Sequence, residues 1–127
     1  MFTSTRIRTA LAALAISVTA FAGVASAQAG GKADTKVSIK GDNGDYYGYV
    51  KSSDHDCELN RKVKVFKMLG SSPAPKTDLQ IGSDTAQPNG PDSMWSIGNS
   101  GYKSGKFYAK VGKTSLCKGA TSKVITR

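Results

Sequence analysis

Short segments in which apolar and polar residues alternate recur along this chain, and this period of two constrains its fold more than any other feature. In the strongest segment, Val63 and Val65 alternate with Lys62 and Lys64. Alternation of this kind places apolar side chains on one face of a β-strand and polar side chains on the other. The pattern predicts strands over residues 35–40, 46–51, 61–69, 79–85, 94–97, 106–111 and 122–126.

Clusters of turn-forming residues separate these segments, above all GDNGD at 41–45 and QPNGPD at 87–92. About seven short strands at this spacing are typical of an all-β sandwich, and no segment after the N-terminal region has a helical period. We therefore predict a two-layer antiparallel β-sandwich over residues 35–127, with a small open barrel as the alternative. Phe66 and Met68 break the alternation of their segment and predict a bulge or a change of buried face.

The first residues have the order of a secretory signal. Arg6 and Arg8 precede an apolar stretch at 10–24, and Ala25, Ser26 and Ala27 supply the small side chains that signal peptidase accepts. We predict a signal peptide at 1–27, cleavage between Ala27 and Gln28, and a flexible leader at 28–34. The alternative is a membrane anchor, but a spanning helix needs about 20 apolar residues and the stretch at 10–24 is shorter. We therefore expect no stable membrane insertion and a secreted, extracellular protein.

Two cysteines remain after cleavage, Cys57 and Cys117. In an oxidising compartment one disulfide between them is the expected pairing. Closing so long a loop stabilises the domain by about 4 kcal/mol in the chain-entropy model. The alternative is a pair of metal or redox thiols, but the chain has one His and no C-x-x-C motif, so we predict no metal and no cofactor.

Basic residues outnumber acidic ones in the chain as a whole. The full chain has a net charge of +9, which falls to +7 when Arg6 and Arg8 leave with the signal. Lysines recur on the polar side of predicted strands and form a candidate polyanion-binding set: Lys36, Lys40, Lys62, Lys64, Lys106 and Lys110. A sheet face carrying them would bind an anionic polymer such as a wall polymer or nucleic acid, with salt-sensitive and loose specificity. The alternative is that they provide solubility and protect strand edges.

Acidic residues cluster in two loops, where they offer candidate chemistry. His55 lies between Asp54 and Asp56, with Glu58 close by, but no nucleophile or oxyanion site accompanies this loop. The same acids, or the cluster at 42–45, offer oxygens to calcium, yet neither run has the spacing of a calcium loop. We predict surface turns here, no catalytic residue, and a protein that is not an enzyme.

Three further features bear on binding. We place the single tryptophan, Trp95, in the core, with sugar stacking as the alternative. Tyr46, Tyr47 and Tyr49 cannot all face inward, so at least one is expected to be exposed. The proline-containing loop from Ser71 to Thr77 offers a segment that a small inhibitor or partner-binding protein would present.

Several segments together carry a family resemblance: Arg61 with Val63 and Val65, the run IGSDT at 81–85, Trp95, and G-x-F-Y-A-K-V from Gly105. They resemble the prealbumin-like, or carboxypeptidase-regulatory-like, β-sandwich, and their layout is closest to small secreted bacterial proteins with one disulfide. The resemblance implies an Ig-like or prealbumin-like sandwich used as an accessory, adhesive or carrier module. We therefore predict a secreted, non-enzymatic module at the cell surface or in the medium.

Overall fold

The computed structural model describes residues 31–127. The predicted signal peptide at 1–27, the cleavage position between Ala27 and Gln28, and the first leader residues at 28–30 lie outside the described residues. Within the described part of the chain, no helix is long and apolar enough to cross a membrane.

Ten strands and one short 3-10 turn follow one another along the described chain. Their bounds are β1 Thr35–Val37, β2 Lys40–Asp42, β3 Asp45–Ser52, the 3-10 turn His55–Cys57, β4 Lys62–Lys67, β5 Leu79–Thr85, β6 Gln87–Asn89, β7 Asp92–Ile97, β8 Lys106–Val111, β9 Ala120–Thr121 and β10 Ile125–Thr126. The first sheet has the order β1-β3-β7-β6, with β2 also on β3. The second has the order β10-β8-β4-β5, with β9 also on β8, and all strand pairs are antiparallel. The prediction of an all-β, two-sheet antiparallel fold is confirmed.

The core lies between the two sheets and is built from the inward positions of alternating strands. The first sheet contributes Tyr46, Val50 and Trp95, and the second contributes Val63, Val65, Phe107 and Val111, among others. Trp95 is 1% exposed, which confirms its predicted place in the core. Its indole Nε1 donates a hydrogen bond to the Ser38 carbonyl at 3.2 Å, so the ring is buried with its polar atom satisfied.

Two predicted turn clusters are tight hairpins with strands on both sides. Asn43 and Gly44 join β2 to β3, and both have positive φ, 52° and 93°, as a type I′ turn requires. Gly90 and Pro91 join β6 to β7. Gly90 has a φ of 63°, and Gly followed by Pro matches a type II′ turn. The turn residues were predicted correctly, but each cluster also includes residues of a short strand, β2 in the first and β6 in the second.

Two strands predicted to be continuous are each interrupted by a serine. The segment 35–40 divides into β1 and β2 at Ser38, whose Oγ accepts the Tyr49 N–H at 2.9 Å. The segment 122–126 is reduced to β10, because Ser122 Oγ accepts the Ala109 N–H at 2.8 Å. In each case a hydroxyl replaces a backbone carbonyl as the acceptor, so the regular ladder stops there.

The Phe66 region departs from regular alternation as predicted. The register between β4 and β5 shifts between Val65 and Phe66, which is the mark of a β-bulge. From this point the outer side of the second sheet is covered as well, because Phe66, Met68 and Tyr108 form a second buried cluster. Phe66 and Tyr108 stack with ring centroids 5.3 Å apart.

The predicted disulfide joins Cys57 to Cys117, with Cα atoms 5.6 Å apart. It ties the 3-10 turn before β4 to the loop before β9. Beside it, Ala33 forms a parallel backbone bridge with Cys117: the Ala33 amide donates to the Leu116 carbonyl at 3.0 Å, and the Ala33 carbonyl accepts from the Lys118 amide at 2.8 Å. This end of the predicted leader is therefore hydrogen-bonded to the domain.

Candidate anion-binding site

The structure divides the six lysines of the predicted polyanion-binding set between the two sheets. Lys36 and Lys40 lie on β1 and β2, at one edge of the first sheet. The other four lie on neighbouring strands β4 and β8 of the second sheet: Lys62, Lys64, Lys106 and Lys110. The basic strand positions are thus concentrated on the second sheet.

An open groove of about 510 Å³ crosses the outer face of the second sheet. Five lysines line it, from β4, the β4–β5 loop, β8 and the β8–β9 loop: Lys62, Lys64, Lys76, Lys110 and Lys113. Phe66 and Pro75 add apolar surface between them. We call this feature the lysine groove. Lys106 is not among the groove residues, although its strand contributes Lys110.

The strand register brings two groove lysines face to face. Lys64 on β4 is the direct antiparallel partner of Lys110 on β8, and residues paired in this way have Cβ atoms about 5 Å apart on the same face. Two like charges placed directly opposite each other oppose strand pairing. The groove therefore holds a repulsive pair that a bound anion would relieve.

No acidic residue within the described chain lines the lysine groove. Three ion pairs occur in residues 31–127, namely Lys51–Asp92, His55–Glu58 and Lys118–Asp34, and none includes a groove lysine. Other acids serve the backbone instead: Asp84 accepts the Ser96 amide at 2.8 Å and Asp45 accepts the Asn99 amide at 2.7 Å. The groove consequently keeps its positive charge uncompensated.

Arg61 adds a buried cation at one end of the groove. It is 4% exposed, and its guanidinium donates to Thr35 Oγ1 at 3.1 Å and to the Cys57 carbonyl at 2.7 Å. It also donates to the carbonyls of Gly112 at 2.8 Å and Lys118 at 3.0 Å. Burial lowers the pKa of Arg61, yet a guanidinium remains charged in proteins. All four partners are neutral, so this charge adds to the positive potential of the groove.

The β4–β5 loop forms one wall of the groove and is held by Asp78. This carboxylate accepts the Tyr108 hydroxyl at 2.6 Å, the Ala74 amide at 2.8 Å and the Leu69 amide at 2.9 Å. The Tyr108 hydroxyl and the two amides hold the pKa of Asp78 below its ordinary value of 3.8. Burial, followed by the hydrogen bond to Asp78, raises the pKa of Tyr108.

The segment from Ser71 to Thr77, predicted as an inhibitor-like loop, belongs to this same wall. Ser71, Ser72 and Pro73 are exposed, whereas Ala74 and Pro75 are half-buried. A turn in which the Thr77 and Asp78 amides both donate to the Ala74 carbonyl fixes its second half. The structure therefore places the C-terminal part of the loop against the second sheet, where Pro75 and Lys76 face the groove.

The outer side of the first sheet differs in chemistry, and we call it the tyrosine face. It carries Tyr47, which is 38% exposed, and the half-buried Tyr49. Because Tyr46 is buried, the prediction that at least one of these three tyrosines is exposed is confirmed. Lys51 binds Asp92 at 2.7 Å and lies over the Tyr49 ring at 5.3 Å, so its charge is already partnered.

The His55 loop forms a hydrogen-bonded turn on the surface. Asp54 caps the 3-10 turn by accepting the Asp56 amide at 3.0 Å. His55 Nδ1 lies 3.1 Å from Glu58 Oε1, and the His55 side chain is 70% exposed. Within residues 31–127, no group of three or more His, Cys, Asp or Glu side chains is arranged to hold a metal ion.

Sequence reasoning missed Lys76, Lys113 and Arg61 as parts of the groove. Lys113 follows the Lys110 strand directly, so extending the strand pattern into its loop would have found it. Lys76 reaches the groove only because its loop folds back over the sheet onto Tyr108, a contact between residues distant in sequence. Arg61 begins the strongest strand segment but is buried, and no local pattern indicates its four hydrogen-bond partners.

Comparisons with known proteins add no relative: no family model, no curated protein and no solved structure matches this chain.

Proposed function

We propose that this protein is a secreted, non-enzymatic β-sandwich module that binds an anionic polymer through the lysine groove. One observation carries the proposal: five lysines line a single groove that contains no carboxylate of the described chain. Lysines that serve only solubility have no reason to converge on one concave surface. A concave basic surface focuses its field and raises the local concentration of anions.

The cations of the groove favour recognition of charge over recognition of one specific group. An ammonium is a hydrated point charge on a flexible stem, whereas Arg provides planar, bidentate recognition. Among the described residues, Arg61 supplies the one guanidinium at the groove, and it is engaged by the protein's own carbonyls. We therefore expect salt-sensitive binding to a polymer with repeated negative charges.

Export and family are parts of the same proposal. The N-terminal signal pattern predicts secretion, and a disulfide in a domain of this size is consistent with an oxidising compartment. Two antiparallel sheets with one disulfide are compatible with the prealbumin-like resemblance. We infer an accessory or carrier role at the cell surface or in the medium, as such sandwiches commonly have.

The test measures binding of a fluorescent polyanion to the secreted, disulfide-bonded protein over a range of salt concentrations. The groove variant removes three charges through Lys62→Gln, Lys64→Gln and Lys110→Gln. If each lysine near an anionic partner contributes about 1 kcal/mol, affinity at low salt falls roughly 100-fold. The slope of log affinity against log salt becomes shallower by about 2 to 3.

A matched control removes the same number of charges elsewhere, through Lys32→Gln, Lys36→Gln and Lys40→Gln. These residues lie at the start of the domain and on the first sheet, so the control changes net charge but leaves the groove intact. We expect it to weaken binding less than threefold. Equal losses in the two variants, or no binding by the unmodified protein, would overturn the proposal.

A further inference from the structure

The size and lining of the lysine groove restrict which anionic polymer it takes. We infer that the groove binds a single flexible phosphodiester chain whose phosphates are separated by a short polyol. This inference rests on the proposed function, because it specifies the polymer that occupies the same groove. Three properties of the groove carry it: its volume, the arrangement of its charges and its apolar lining.

The volume excludes rigid and bulky polyanions. A groove of about 510 Å³ is of the size that holds a drug-sized molecule, which corresponds to a few monomers of a polymer. The β4–β5 loop and the β8–β9 loop both contribute to its lining. A nucleic-acid duplex is stiff over about 50 nm and carries its phosphates on a convex surface, so it cannot follow such a groove. A single flexible chain can.

The strand register fixes the spacing at which three groove lysines leave the sheet. Lys64 and Lys110 face each other across β4 and β8, so their Cβ atoms are about 5 Å apart. Lys62 lies two residues along β4 on the same face, a displacement of about 7 Å. Adjacent phosphates in inorganic polyphosphate share one oxygen and lie closer together than this spacing. A polyol between phosphates spreads the charges to a comparable distance.

The lining between the lysines favours a carbon spacer over a nucleobase. Phe66, Pro75 and the lysine stems offer apolar surface next to the charges. Proteins that bind single-stranded nucleic acid stack bases on exposed aromatic rings. Phe66 is the only aromatic residue among the described residues of the groove, and it is 4% exposed. Phe66 therefore gives a base no ring face to stack on, and Pro75 and the lysine stems supply the apolar contact for a polyol.

The experiment compares four probes matched in number of phosphates in competition for the same protein. The probes are a synthetic glycerol phosphate oligomer, single-stranded oligothymidylate, a DNA duplex and inorganic polyphosphate, each displacing a dye-labelled glycerol phosphate oligomer at fixed salt. We expect the glycerol phosphate oligomer to bind most tightly, by about tenfold over the duplex. Lys64→Gln with Lys110→Gln should weaken it about 30-fold, and Lys32→Gln with Lys36→Gln should leave it within threefold.

Each other outcome has a definite meaning. If all four probes bind in proportion to charge and the groove variant weakens them equally, the inference is wrong while the proposed function stands. If oligothymidylate binds most tightly, the polyol is wrong and the groove takes single-stranded nucleic acid. If none of the four binds, the proposed function fails together with the inference.

Discussion

Each face of the sandwich carries a pair of lysines in direct register, but their surroundings differ. On the tyrosine face, Lys36 is the cross-strand partner of Lys51, and Lys51 is bound to Asp92 at 2.7 Å. In the lysine groove, Lys64 faces Lys110, and no acid of the described chain lies among the lining residues. The same like-charge juxtaposition is neutralised on one side and left open on the other. The number of lysines on a strand therefore indicates less about binding than whether the fold places acidic residues next to them.

The largest change in stability is expected on the groove side, when Arg61 at the end of the groove is replaced. Arg61→Ala removes a guanidinium that holds Thr35 in the first sheet and the carbonyls of Cys57, Gly112 and Lys118. Buried acceptors that lose their donors cost about 1 to 3 kcal/mol each, less where water replaces the donor. We expect a loss of about 3 kcal/mol or more in the free energy of unfolding, measured by urea denaturation.

Arg61→Lys is the matched variant, because it keeps the charge but cannot reach four acceptors. It should lose less stability than Arg61→Ala and retain more polyanion affinity when both are assayed while folded. If Arg61→Lys were as stable as the unmodified protein, the hydrogen bonds of the planar guanidinium would not be what holds this end of the groove.

A smaller loss of stability is expected on the groove side when the hydrogen bond that holds the β4–β5 loop to the second sheet is removed. Tyr108→Phe removes the hydroxyl that donates to Asp78 at 2.6 Å while keeping the ring stacked on Phe66. The loss of one hydrogen bond to a carboxylate should lower the free energy of unfolding by about 1 kcal/mol. Polyanion affinity should fall as well, because Pro75 and Lys76 are released from the groove wall.

The hydrogen bond between Tyr108 and Asp78 also makes the stability of the fold depend on pH in the acidic range. The pKa of Asp78 is lowered from 3.8, first by the Tyr108 hydroxyl and then by the Leu69 and Ala74 amides. The folded-state value lies below the unfolded value, so the stabilisation is complete above pH 3.8 and is lost as the pH falls through the lowered pKa. The Leu69 and Ala74 amide NMR signals should titrate with a midpoint below 3.8, and Tyr108→Phe should move that midpoint upward. An unchanged midpoint in the variant would show that the hydroxyl does not hold the carboxylate.

The two faces also differ in how much of their structure could be predicted from the sequence. Alternation located β3, β4, β5, β7 and β8, because the buried face of a strand can be read from neighbouring residues. Trp95 was placed in the core for a different reason, that a single large ring in a small sandwich is usually buried. Alternation did not show the breaks at Ser38 and Ser122, where a hydroxyl accepts a backbone N–H of the neighbouring strand. The Cys57–Cys117 bridge was predictable because only two cysteines remain after the predicted signal.

The candidate site was predictable only in part, for a related reason. Lys62, Lys64 and Lys110 were found because outward strand positions can be read from the sequence. Lys76 was not, because its place depends on the contact between Asp78 and Tyr108, which are 30 residues apart. The assignment of Lys36 and Lys40 to the other sheet depends on which strands pair, and periodicity does not determine pairing.

The smallest expected effect tests the comparison most directly. Lys64→Glu places a carboxylate opposite Lys110 and gives the groove the kind of acidic partner that Lys51 has on the tyrosine face. An opposite-charge pair replaces a like-charge pair, so the free energy of unfolding should rise by about 0.5 kcal/mol, measured by urea denaturation at low salt. Polyanion affinity should fall at the same time.

Lys36→Glu is the control, because it makes the equivalent change opposite Lys51, whose ammonium already binds Asp92. It should gain less stability than Lys64→Glu and leave polyanion affinity nearly unchanged apart from the smaller net charge. Stability and affinity that move in opposite directions in the groove, but not on the tyrosine face, would mean that the open charge pair is maintained for binding at a cost to the fold. If both variants gave the same change in stability, Asp92 would not be what distinguishes the two lysine pairs.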